Sequence, residues 1–241
     1  ITIVMNYLIL VRHGQSKWNL EKRFTGWVDI DLTKNGKLEA EKAGYLIKKS
    51  NIKINYYYSS LQLRANNTLK IIQKILNDEK EFVKAWQLNE RHYGAFTGLN
   101  KIEMAKKIGE KKVYDFRRSW EAKPEALDKK NPYHPINIET YKNLPRDVIP
   151  DTESLKDTYE RVLEYFKSEI KDKLKSKNIL ISAHGNSIRA LCKNLFNLDN
   201  NQVSNLEIPT GNPLILEFNS DFKIIKCEYL DKERAKDLVV F

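Results

Sequence analysis

A chain of 241 residues, 41% hydrophobic and 31% charged, has room for one large α/β domain or two small ones and the composition of a soluble globular protein. No apolar run reaches the ~18 to 20 residues of a membrane span. The two cysteines, Cys192 and Cys227, form neither a disulfide framework nor a metal-binding spacing and read as small buried residues. A net charge of +10 invites a nucleic-acid partner, yet the 32 lysines are spread over helix surfaces. Five of the ten arginines (Arg12, Arg64, Arg91, Arg117 and Arg118) instead fall in a few short segments. Arginine clamps phosphate and carboxylate with two parallel bonds, so this clustering points to a small, multiply charged anion rather than to nucleic acid or a membrane.

Residues 1–5 read as an N-terminal extension, upstream of the fold. The stretch to Val11 has no basic leader and no small-residue cleavage site, so a signal peptide is not expected and the cytosol is the default compartment. Asn6 to Val11 is continuously apolar, the pattern of a strand buried on both faces. Thr33 offers an N-cap for a helix running to about Lys49. Ile54 to Tyr58 is β-branched and aromatic and predicts a strand; Leu61 to Leu76 has helical spacing; another strand is expected from Phe82 to Leu88. Helices are expected over Lys101 to Ile108 and Lys111 to Trp120. Five of the seven prolines lie between Ala122 and Pro150, which predicts a long loop. A helix starting at Asp151 and Thr152 carries Leu155, Tyr159, Val162, Leu163, Phe166 and Ile170 on one face. Asn178 to Ala183 is a second buried strand, followed by a helix from Ser187 to Phe196. Leu214 to Phe218 and Ile224 to Tyr229 close the sheet, leaving residues 231–241 as a tail.

Alternating strands and helices define an α/β fold: a single domain over residues 6–230, with a mostly parallel sheet flanked by helices on both faces. Ligands of such folds sit off the carboxyl ends of the strands. The two most apolar strands end in Arg12-His13-Gly14 and His184-Gly185-Asn186. A neutral imidazole there is a competent nucleophile toward a phosphoryl group, Arg12 would complement the oxygens, and Gly14 would let an anion approach the backbone. Taken alone, His13 could equally cap a strand end. Paired histidines also raise a metal site, but acidic residues are not concentrated beside either one, and no metal is expected.

The run RHGQSKWNLEKRFTGWVDIDLTKNG (12–36), together with Ser60-Leu61-x-x-Arg64-Ala65, LNERHYGAFTGLNK (88–101), Arg117-Arg118, AHGNSIRAL (183–191) and IPTGNPL (208–214), resembles the histidine phosphatase superfamily and specifically its cofactor-dependent phosphoglycerate mutase branch. The resemblance spans Asn6 to about Leu230. It implies that His13 is the phosphorylated nucleophile, with Arg12, Arg64 and His184 on the phosphoryl oxygens. Gly14, Gln15, Ser16, Asn19, Thr25, Gly26, Gly185 and Asn186 would complete that pocket. Glu90 would be the general acid and base, while Arg91, His92, Tyr93, Lys101, Arg117 and Arg118 would bind the substrate carboxylate and its other phosphate. Read without the resemblance, Arg117-Arg118 could be a solvated helix face, Glu90-Arg91 an exposed ion pair, and Trp18 and Trp27 packing residues.

The activity implied is interconversion of 3-phosphoglycerate and 2-phosphoglycerate in glycolysis and gluconeogenesis. With it come 2,3-bisphosphoglycerate as primer, no metal, and a homo-oligomer (dimer or tetramer). A phosphatase of the same superfamily, a bisphosphoglycerate synthase and a non-catalytic anion-binding protein are the alternatives. Gln15 stands where the branch often has Glu, and Asn66-Asn67 where it often has an apolar residue and His.

Overall fold

The structure is a computed structural model that describes residues 5–235; the expectations for residues 1–4 and 236–241 lie outside it. In chain order, β1 (Asn6–Arg12) leads to the short α1 (Lys17–Leu20), then α2 (Lys34–Lys49), β2 (Tyr56–Ser59), α3 (Leu63–Leu76) and the two-residue β3 (Val83–Lys84). Helices α4 (Lys101–Ile108), α5 (Glu110–Arg118), α6 (Leu155–Tyr165) and α7 (Lys171–Leu174) follow. Then come β4 (Ile179–Ala183), α8 (Gly185–Leu195), α9 (Asn200–Asn205), β5 (Leu214–Phe218) and β6 (Ile224–Tyr229).

Among the described residues the strands form one sheet in the order β3-β2-β4-β1-β5-β6. The pairs β1–β4, β2–β4 and β2–β3 are parallel, and β5 runs antiparallel to both its neighbours. Period-two alternation sorts the side chains of each strand between two cores. Ile9, Val11, Tyr57 and Leu180 meet Ala43 and Ile47 of α2 and Leu69 and Ile72 of α3. Leu8, Leu10, Ile179 and Ile181 meet Leu155 and Val162 of α6 and Ile188 and Leu191 of α8 on the other face. Strands this apolar need cover on both sides, and the helices supply it.

Several boundaries differ from the sequence reading. Only Val83 and Lys84 pair as a strand; the chain then turns through a 3₁₀ segment, Trp86–Leu88, that buries Leu88. Helix α6 begins after Ser154, not at Asp151. The Ser154 hydroxyl accepts from the Asp157 N–H, the Asp157 carboxylate accepts from the Ser154 N–H, and this reciprocal cap ends the incoming loop. Asp151 instead accepts from His134 Nε2 at 2.9 Å. Helix α8 starts at Gly185, two residues earlier than expected, because the Ser187 hydroxyl caps the His184 N–H. The proline-rich stretch 122–150 is a packed cover with three 3₁₀ turns. Tyr141 is buried in it and donates its hydroxyl to the Trp27 carbonyl at 2.6 Å. The short helices α1 and α9 had no apolar stripe to announce them. Residues 231–235 lie against the body: Asp231 pairs with Lys42 and exchanges two hydrogen bonds with Asn212.

The first turn of α2 presses directly on the loop after β1. A Cβ on Gly14 would stand 2.1 Å from the Gly36 carbonyl oxygen, and one on Gly36 would stand 2.1 Å from that of Gln15. Gly14 therefore serves close backbone packing, rather than the approach of an anion expected from the sequence. Gly36→Ala should cost about 1 to 3 kcal/mol, the range for overpacking, which lowers Tm by roughly 2 to 12 °C in a domain of this size. Thermal melts of the two proteins check this, and an unchanged Tm would mean the contact yields freely.

Candidate active site

Strand register builds the centre of the site. Arg12 pairs with Ala183 in the parallel β1–β4 ladder, and the His13 N–H donates to the Ala183 carbonyl at 3.0 Å. The next residues of the two strands, His13 and His184, therefore meet with ring centroids 5.0 Å apart. His13 Nδ1 lies 2.7 Å from the Gly14 carbonyl, so it carries the proton and leaves Nε2 with a lone pair. Arg64 Nε approaches that Nε2 at 3.3 Å. Arg64 is itself fully buried in the first turn of α3, pinned by the Gly26 and Val28 carbonyls. Arg12 donates to the Ile208 carbonyl while its buried Nε has no partner. His184 Nε2 is 2.8 Å from the Ser60 hydroxyl.

Burial, with Arg64 and Arg12 adding to it, holds His13 well below the ordinary imidazole pKa. His184 is lowered in the same way, by burial first and then by Arg64 and His13. Each ring is thus neutral at physiological pH, which suits a nucleophile.

In front of the His13 ring opens a small cavity lined by Arg12, His13, Asn19, Thr25, Gly26, Arg64, Glu90, Tyr93, Lys101, Arg117, Arg118, Gly185, Asn186 and Arg189. Of these lining residues six are cationic, and Glu90 is the one carboxylate. Glu90 Oε1 accepts from the Arg91 and Asn186 N–H groups at 2.8 and 3.2 Å. The Asn186 amide reaches the Tyr93 hydroxyl at 3.0 Å. Lys101, at the start of α4, is lowered to about 7 by burial and by Arg117 and Arg12. Arg118 donates to the Leu206 carbonyl and to Glu207. Arg117 and Arg118 end α5, and both line the cavity. So many cations around one hole favour a compact polyanion.

Six expected site residues stand outside the lining: His184, beside His13, and five more. Gly14 donates its N–H to Thr68. Gln15 turns to α2, its N–H on Glu39 and its side-chain oxygen on Thr33. Buried Ser16 caps α1, exchanging hydrogen bonds with Asn19, and so holds Asn19 at the cavity rather than facing it. Arg91 is buried with Nε on the Glu153 carbonyl and Nη2 on that of Ala122, while Nη1 has no partner. His92 accepts from the Gly94 N–H, and burial lowers it to about 3. Sequence reasoning missed Arg189. It is buried on α8, bonded to the Leu206 carbonyl and Asn186, and lowered to about 9 by burial and by Arg118 and Arg12. Its place one turn after His184-Gly185-Asn186 was the available signal, since residues four apart share a helix face. Ser60 stood in a quoted motif without a role. Among the described residues there is no cluster of three or more His, Cys, Asp or Glu able to hold a metal ion, and no helix long and apolar enough to cross a membrane.

A neutral buried histidine whose Nε2 lone pair meets Arg64, further arginines around it and a carboxylate across a cationic cavity suit phosphoryl transfer through a histidine. The family model of the histidine phosphatase superfamily (branch 1) matches residues 8–130 and 118–228. The chain is 67% identical over 238 residues to the 2,3-bisphosphoglycerate-dependent phosphoglycerate mutase of Pelagibacter ubique (strain HTCC1062), covering 98% of this chain and all of that one. It is 48% identical to the protein of the same name from Borreliella burgdorferi (strain ZS7), over 95% of this chain and 93% of the relative. The chain belongs to the 2,3-bisphosphoglycerate-dependent phosphoglycerate mutase family of the histidine phosphatase superfamily. Among solved structures, a mycobacterial glucosyl-3-phosphoglycerate phosphatase in complex with VO3 shares the fold: TM-score 0.67 at 20% identity, over 93% of this chain and 98% of that one. Bacillus stearothermophilus YhfR shares it too, with TM-score 0.66 at 22% identity over 91% and 94% of the chains.

Lys101 gives the site a pH dependence. The ammonium is present below about pH 7 and is lost above it, so affinity for an anion should fall as the pH rises through that value. Sulfate, which keeps its charge across this range, should bind roughly tenfold more weakly at pH 8.5 than at pH 6, the effect of losing one charged hydrogen bond. Calorimetric titration reads the difference, and Lys101→Met should flatten it; a step that survives in that variant belongs to another group.

Proposed function

We propose that this chain interconverts 3-phosphoglycerate and 2-phosphoglycerate through a phosphorylated His13. The observation that carries the reading is the cavity itself: a neutral nucleophile at its floor, one carboxylate, and Lys101, Arg117, Arg118 and Arg189 in its wall. The family name supports the same activity. The residues present also fit 2,3-bisphosphoglycerate, because the partnerless Arg12 Nε and the excess of cations call for more anionic oxygens than the protein provides. Arg12 and Arg64 would hold the phosphate beside His13, and Lys101, Arg117 and Arg118 the other phosphate and the carboxylate. When bound, 2,3-bisphosphoglycerate supplies the phosphoryl group that loads His13.

His13 Nε2 makes the bond to phosphorus in line with the departing oxygen, its geometry kept by the Nδ1 contact to Gly14. Arg12 and Arg64 neutralise the charge on the transferring oxygens. Glu90 gives a proton to the departing substrate oxygen and removes one from the attacking hydroxyl on return. Asn186 and the Arg91 N–H orient the carboxylate from one side, leaving its second oxygen for the proton. A simple phosphatase needs no such hold on the far end of its ligand, and this set of cations favours the mutase. With this reading go a cytosolic location and a homo-oligomer, proposed on the family resemblance alone.

An enolase-coupled assay of 3-phosphoglycerate, with and without 2,3-bisphosphoglycerate and with excess EDTA, tests the activity, and loss of turnover with EDTA would contradict a metal-free mechanism. His13→Ala should abolish turnover and leave no acid-labile phosphate on the protein. Glu90→Gln should lower turnover by roughly 10² to 10⁴ with affinity little changed; near-normal turnover would reassign the proton carrier. The double variant Arg117→Ala with Arg118→Ala should lose ligand retention by roughly 30-fold or more while His13 still becomes phosphorylated. Phosphate release should then rise relative to 2-phosphoglycerate formation; an unchanged ratio would deny these arginines the retaining role.

A further inference from the structure

Residues 89–92 carry Glu90 across the cavity wall in neither helix nor strand. Their backbone groups therefore need partners from elsewhere: Gln62 Oε1 accepts from the Glu90 N–H at 2.9 Å, and two further buried side chains, Glu153 just before α6 and Arg161 within it, supply most of the rest. Arg161 donates Nη1 to the Gln87 and Asn89 carbonyls at 2.6 and 3.0 Å and Nη2 to the Glu90 carbonyl at 3.0 Å. Its Nε and Nη2 grip the Glu153 carboxylate at 2.6 and 2.9 Å, so all five guanidinium N–H donors are committed. Glu153 holds the far side of the segment. Its carboxylate accepts from the His92 N–H at 2.8 Å, its N–H donates to the His92 carbonyl, and its carbonyl accepts from Arg91 Nε at 2.9 Å.

We propose that Arg161 and Glu153 are positioning residues for Glu90, setting the angle at which its carboxyl faces the substrate hydroxyl. The inference rests on Glu90 being the proton carrier. Neither residue lines the cavity, so neither can act on the ligand directly. The lever is short. Glu90 Oε1 is held by the N–H of Arg91, the next peptide of the same suspended segment, and by the N–H of Asn186 on α8. A tilt of the segment separates these two donors and swings the carboxyl. A buried ion pair adds little net stability over a well-packed apolar alternative, but it fixes direction, and proton transfer depends on direction. A displacement of about 1 Å at a reacting group can cost ~10²-fold in rate.

The test uses Glu153→Gln, which keeps shape, and Arg161→Lys, which keeps charge but loses the planar fork. Each should lower mutase kcat by roughly 10- to 100-fold with KM little changed. In a Glu90→Gln background the same substitutions should cost almost nothing more, because groups that act as a unit are not additive. The stoichiometric burst of p-nitrophenolate from p-nitrophenyl phosphate reports His13 phosphorylation with a leaving group that needs no proton, and it should be retained. Phosphorylation of His13 by 3-phosphoglycerate, whose leaving oxygen does need one, should slow. Full multiplicative loss in the Glu90→Gln background, or parallel loss of both phosphorylations, would overturn the proposal and make the pair merely structural. The leaving-group comparison reads Glu90 even in a hydrolase, so a wild type that phosphorylates His13 without mutase turnover would sink the mutase reading alone.

Discussion

The parallel pairing of β1 with β4 is the constraint from which the site follows. Two apolar strands in one register bring Arg12 opposite Ala183, and the residue after each is a histidine. The bond from the His13 N–H to the Ala183 carbonyl extends that ladder by one step, so the two rings meet where the sheet runs out and the backbone opens. Shifting the register by one residue would reverse the faces of the strand and empty both cores at once. Burial of the sheet and placement of His13 are thus one event, and the geometry of His13 is as stable as the core behind it.

Around that point the protein gathers positive charge that its own carboxylates do not balance. Arg12, Arg64 and Arg189 are all lowered from their ordinary pKa, burial being the first cause in each case. Several satisfy themselves on backbone carbonyls of irregular segments: Ile208, Val28, Gly26 and Leu206. Those carbonyls belong to loops with no ladder of their own, so the cations that prepare the site also hold the loops that shape it. An anion arriving there relieves repulsion and fills unused donors, and anything that binds the folded state alone also stabilises it.

The same economy governs the far wall. The stretch 122–150 lays the Tyr141 ring against Trp27 and carries no strand, its Tyr141 hydroxyl closing on the Trp27 carbonyl. Behind Glu90, Arg161 of α6 and Glu153 just before that helix take the place of secondary structure.

Much of this was legible in the chain. The buried strands, the helices α2, α3 and α4, the closing strands and the residues at the strand ends follow from local hydrophobic pattern and short motifs. Most motif residues that line the cavity, though not Glu90, also lie near glycines or at helix ends, which mark themselves in sequence. The misplaced boundaries have a common cause. At Ser154 and Ser187 a hydroxyl cap, and at Trp86 a buried turn, overrode a pattern that continued past them. Gly14, Gln15, Ser16, Arg91 and His92 sit in the motifs yet support the walls, because adjacency in sequence does not say which way a side chain turns. Arg189, Arg161 and Glu153 carried no sign of their partners, which lie 17 to 74 residues away for the arginines' carbonyl contacts and 61 to 62 for Glu153 with Arg91 and His92. Sequence by itself determined the fold class and the placing of two histidines at strand ends, since both depend on local periodicity and residue type. Only the tertiary structure decided which cations share one cavity and what holds Glu90 in place, because long-range hydrogen bonds to backbone carbonyls leave no pattern along the chain.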